Sequence, residues 1–76
     1  MKKHHRDALY YTYKAQIARH EANINNLSDN SVGVAEHPDL IETIDKEIEK
    51  ICEAHDKLEV LETYFKIETD QSQKYI

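Results

Sequence analysis

Glycine and proline occur once each in this 76-residue chain, at Gly33 and Pro38. These are the two residue types that most oppose a helix interior, costing about 1 and about 3 kcal/mol relative to alanine. Both fall near the middle, so the chain reads as two long helical segments with one interruption. Helices are expected over about 5–27 and 38–66, with a connection over about 28–37 and a tail over 67–76.

Periodicity supports that division. In the first segment Tyr10, Tyr13, Ile17, His20, Ile24 and Leu27 recur at spacings of 3, 4, 3, 4 and 3, which stacks them on one helix face. Ala8, Ala15, Ala18 and Ala22 favour the helix and keep it thin for close approach. In the second segment the stripe is Ile41, Ile44, Ile48, Ile51, His55, Leu58, then Leu61 or Glu62, and Phe65; Leu40, Ala54 and Cys52 broaden it. Glu42–Lys46, Glu53–Lys57 and Glu62–Lys66 are i,i+4 pairs in the favourable order on the solvated side.

The connection has its own signals. Ser28, Asp29, Asn30 and Ser31 compete for local backbone hydrogen bonds, and Gly33 offers a left-handed stop for the first helix. Pro38 suits a first helical turn, where its missing N–H is not needed. Asp39 and Glu42 place negative charge beside the free N–H groups of that turn. Val32 and Val34 are expected to fold back over the hairpin end. The tail has no clear period, and Tyr75 and Ile76 are its candidate anchors.

Two such helices, joined by a connection somewhat longer than the usual bundle loop, fold antiparallel. Setting Leu27 against Ile41 places Ile24 by Ile44, His20 by Ile48, Ile17 by Ile51, Tyr13 by His55 and Tyr10 by Leu58. The expected fold class is therefore all-α, an antiparallel two-helix hairpin. Its stripes remain half exposed, and a single cysteine, Cys52, provides no intrachain disulfide to compensate. Pairing two hairpins into a four-helix bundle is the expected remedy, which predicts self-association. The lone thiol suggests a reducing, cytoplasmic setting. The start lacks the apolar core of a signal peptide, and no apolar run reaches membrane-spanning length.

Charge is unevenly distributed. The formal net charge is −5; residues 1–30 hold five Lys/Arg against three Asp/Glu, and residues 31–76 hold five against twelve. The second half repels nucleic acid and anionic membrane, and attracts a protein partner with a basic surface. Asp45, Glu49, Asp56 and Glu59 are the candidate charges for such a partner. Tyr11, beside the seam residue Tyr10 but pointing away from the seam, is the candidate aromatic anchor. The expected function is a small non-enzymatic protein-interaction or regulatory module acting as a homodimer, or else a structural subunit of a larger assembly.

Other chemistry is thinly supported. His20 and His55 interrupt apolar stripes and are candidate pH-sensitive seam residues, since burying a neutral imidazole opposes its protonation. The hydroxyl of Tyr13 is the expected partner of His55. Cys52, His55 and Glu59 are all metal-ligand types at i, i+3 and i+7, but a closed site needs about four ligands. Neither histidine is preceded by glutamate at the Glu-x-x-His spacing of di-metal bundles. His4 and His5 read as a solvated end. The acidic neighbours Glu49, Glu53 and Asp56 oppose thiolate formation at Cys52. No nucleophile relay, phosphate-cradling glycine loop or cofactor motif is present, so neither a cofactor nor catalysis is expected. The alternative of nucleic-acid binding rests on Lys2, Lys3, Arg6, Lys14 and Arg19 along the first helix, with Tyr10, Tyr11 and Tyr13 nearby. In architecture alone, a dimer of such hairpins resembles the small plasmid-encoded Rop-type dimers that bind paired RNA loops. That resemblance implies a basic strip formed by two first helices, but no motif carries residues across.

Overall fold

A computed structural model describes residues 1–29 and 39–66 of the chain. Two α-helices account for nearly all of them: α1, Lys3–Asp29, and α2, Asp39–Tyr64. They lie antiparallel, with Arg6 of α1 against the end of α2 and His20 against its middle. The fold is an all-α two-helix hairpin. Among the described residues, no helix is long and apolar enough to cross a membrane. The connection signals at Val32, Val34, Gly33 and Pro38, and the tail residues Tyr75 and Ile76, lie outside the described residues.

On α1 the inward face follows the expected stripe: Tyr10, Tyr13, Ile17, His20, Ile24 and Leu27 are all half-buried. Arg6 extends it by a further turn, four residues before Tyr10, and is buried.

The α2 stripe needs a correction. The inward side chains are Leu40, Ile44, Glu47, Ile51, Ala54, Leu58 and Leu61, at spacings of 4, 3, 4, 3, 4 and 3. Ile41, Ile48 and His55, expected in the seam, are exposed, with Ile41 at 73% and Ile48 at 45%. Each residue turns an α-helix by about 100°, so exchanging every second stripe member for its predecessor rotates the buried face by about 50°. The exchange has a physical logic. It brings in Leu40 and Ala54 in place of Ile41 and His55, and of the two expected alternatives Leu61 and Glu62 it buries Leu61, so the polar His55 and Glu62 stay outside the seam. One polar side chain, Glu47, enters in place of Ile48, and α1 supplies it with hydrogen-bond donors. A satisfied polar group costs far less than an orphaned one.

The ends of α2 are capped from two sources. Asp39 and Glu42 occupy its first turn, where carboxylates favour the partial positive charge of the helix N-terminus. Its last turn contains no basic residue. Arg6 reaches across from α1 instead, donating from Nε to the backbone carbonyl of Phe65, and so sets a cation against the carbonyl end of α2.

Candidate functional site

Polar chemistry in the seam centres on Glu47. Its Oε1 accepts hydrogen bonds from Nδ1 of His20 at 2.7 Å and from Nδ2 of Asn23 at 2.8 Å. An ionised carboxylate can only accept, so His20 must carry its proton on Nδ1. The bond from Asn23, followed by that from His20, holds the Glu47 carboxyl below the usual carboxylate range. Both side chains of the pair are only about one-seventh exposed, 14% for His20 and 15% for Glu47. The surroundings of His20 are therefore not the apolar seam expected beside Ile48. A carboxylate oxygen, not an aliphatic side chain, stands against its imidazole.

His55 lies outside the seam and is exposed. The residue that reaches Tyr13 is Lys57, whose Nζ stands 6.0 Å from the ring centroid while also 3.7 Å from Glu53. This pair belongs to one flank of the hairpin. The opposite flank and back of α2 carry Ile41, Ile48 and His55, then Asp45, Cys52 and Glu59, then Glu42, Glu49 and Asp56, in rows seven residues apart; all are exposed. The four candidate carboxylates Asp45, Glu49, Asp56 and Glu59 thus share this face, bordering the exposed isoleucines. On α1, Tyr11 is 67% exposed and packs edge-on to Tyr10, with ring centroids 5.1 Å apart. It follows the seam residue Tyr10 by one position, as Asp45 follows Ile44, so in this antiparallel pair it falls on the same flank.

Cys52 is a free, exposed thiol. Among the described residues, no group of three or more His, Cys, Asp or Glu is placed to hold a metal ion; Cys52, His55 and Glu59 do not form one. The rings of His4 and His5 lie 4.4 Å apart at the exposed start of α1.

The basic residues of the first segment are dispersed. Arg6 is buried in the seam. Lys3 is tied to Asp7 at 2.7 Å, a hydrogen bond and charge that raise its pKa. Lys14 stands 6.0 Å over the ring of Tyr10. Lys2 and Arg19 are exposed. Arg19, two residues past Ile17, falls on the flank opposite Lys14, so the five do not line one strip.

A second apolar feature sits at the open end of the hairpin. Met1, Leu9, Tyr13, Val60, Leu61 and Phe65 line a groove of about 210 Å³, with Asp56 and Lys57 at its edge. Met1, Val60 and Phe65 are 62%, 43% and 41% exposed.

Glu47 and Asn23 were not among the residues singled out from sequence, and Arg6 was singled out only as a nucleic-acid-binding candidate, not as a seam residue. The available signal was the second 3,4 path through α2, from Leu40 to Leu61, and the continuation of the α1 path four residues before Tyr10. The chain matches no protein-family model, and no curated protein or solved structure matches it either.

Proposed function

We propose that the chain is a small non-enzymatic protein-interaction module that acts as a homodimer. The observation that carries this reading is the thinness of the core. Among the described residues only Ala54, Leu58 and Leu61 are buried apolar side chains, and no large side chain is fully buried. A hairpin one layer thick presents faces rather than the enclosed cleft that small-molecule chemistry favours.

The open-end groove offers the self-contact. It combines Met1, Val60 and Phe65 with few charges, and a twofold axis through it sets the patch against itself. Light scattering across a wide range of protein concentration tests the reading. The expected mass is twice the chain's 8.9 kDa, and Val60→Asp should return it to one chain with helicity intact. A helical monomer at every concentration would overturn the homodimer.

A further inference from the structure

We infer that the outer face of α2 docks a basic amphipathic helix of a partner protein, with Ile41 and Ile48 seated in that helix's apolar stripe. This rests on the interaction-module reading above and names its partner by chemistry. The inference begins from how completely charge is sorted around α2. The three rows facing away from Tyr13 hold Ile41, Ile48, His55 and Glu62; Asp45, Cys52 and Glu59; and Glu42, Glu49, Asp56 and Thr63. Six of these eleven residues are carboxylates, and none is lysine or arginine. Lys46, Lys50 and Lys57 all fall on the remaining exposed rows, where Lys57 stands against Tyr13 and Glu53.

The same rows contain the two isoleucines that the rotation of α2 leaves outside the seam. Ile41 at 73% and Ile48 at 45% exposure lie two helical turns apart on one side, with Cys52 one turn beyond Ile48. An apolar ridge flanked by carboxylates is the complement of a helix with an apolar stripe and flanking lysines or arginines, the helix-in-groove mode of recognition. Tyr11 and Ala18, one position after the α1 seam residues Tyr10 and Ile17, border the same flank and supply a second wall, with Lys14, held over the Tyr10 ring, between them.

Charge also excludes the other occupants. A second copy packed on this face would set its six carboxylates against six more, with no lysine or arginine in these rows to offset them, and like charges at that distance repel. Phosphate-bearing ligands, nucleic acid and anionic membrane are repelled for the same reason. The homodimer contact and the partner site are therefore distinct surfaces that share only Asp56, at their common edge.

The test uses the full chain and a fluorescent, helix-forming peptide of lysine and leucine with one apolar face. A scrambled peptide of the same composition and a glutamate–leucine counterpart serve as controls. Binding is read by anisotropy and mapped by amide chemical shifts. The lysine–leucine peptide should bind saturably and shift amides around Ile41, Asp45, Ile48 and Cys52. Ile48→Asp should weaken it by about tenfold or more, as loss of a central anchor does. Glu49→Gln or Glu59→Gln should weaken it by up to about fivefold each. Coupling a bulky maleimide to Cys52 should block it. Absence of saturable binding, equal binding of the scrambled peptide, or affinity indifferent to Ile48→Asp would each overturn the site. Because Ile48 lies outside the open-end groove, light scattering on Ile48→Asp should still give the wild-type mass. Peptide binding by a chain that stays monomeric would sink the homodimer and leave this site standing.

Discussion

Leu61→Ala tests where the core of the hairpin lies. Leu61 is 3% exposed, so truncation to alanine removes three buried carbons, worth about 0.8 kcal/mol each, or about 2.4 kcal/mol. A cavity term is normally added in a deep core. Here the void opens at the edge of a structure two helices thick and can fill with water, so the total stays near 2–3 kcal/mol. A 76-residue domain has about 4–11 kcal/mol in all, and each kcal/mol moves the midpoint of a domain this size by about 4–8 °C. Melting followed by far-ultraviolet circular dichroism, at fixed protein concentration, should therefore show a drop of about 10–20 °C. The paired control is His55→Ala. His55 belongs to the seam in the periodicity reading but is exposed in the structure, so its loss should cost within about 0.5 kcal/mol of nothing. If His55→Ala proves as damaging as Leu61→Ala, or if Leu61→Ala is nearly neutral, the rotated α2 face is wrong.

Three further outcomes follow from the same geometry. The folded carboxyl of Glu47 is held below its unfolded value by Asn23 and His20, so its contribution is present above the unfolded glutamate pKa, about 4.3. That contribution is lost as the pH falls through the lower folded value; Glu47→Gln should flatten this part of the acid-unfolding curve, and an unchanged curve would exclude the node as its cause. Arg6→Ala removes the charged donor to the Phe65 carbonyl and should cost about 1.5–3 kcal/mol, the range for hydrogen bonds to charged groups, read as a lowered urea midpoint. Arg6→Lys should recover part of it, whereas a neutral Arg6→Ala would show that the contact contributes nothing. Cys52, exposed among Glu49, Glu53 and Asp56, should react fully with a neutral maleimide in the folded protein while helicity persists. Reaction only after unfolding would mean the thiol is covered.

What the sequence disclosed and what it withheld follow from the same energetics. The two-helix division was legible because breakers are costly enough to act locally: one glycine and one proline near mid-chain leave little alternative to a hairpin. The α1 face was legible because only one 3,4 path through it, Tyr10 to Leu27, is rich in large side chains. On α2 two paths compete. They share Ile44, Ile51 and Leu58, and differ in whether Ile41, Ile48 and His55 or Leu40, Glu47 and Ala54 complete the stripe. Counting apolar residues along α2 alone does not separate them, since each triplet holds two: Ile41 and Ile48, or Leu40 and Ala54. The decision depends on α1, which offers His20 and Asn23 where Glu47 arrives, and on the far end of the stripe, where Leu61 rather than Glu62 is buried. No periodicity within one helix contains that information, because the satisfaction of a buried polar group is a property of the pair. The same choice shapes the surface. Had Ile41 and Ile48 entered the seam, α2 would present a merely acidic back. Rotated outward by half a residue step, they turn that back into an apolar ridge lined with carboxylates. Settling the seam therefore also sets out the face on which a cationic helix can be read.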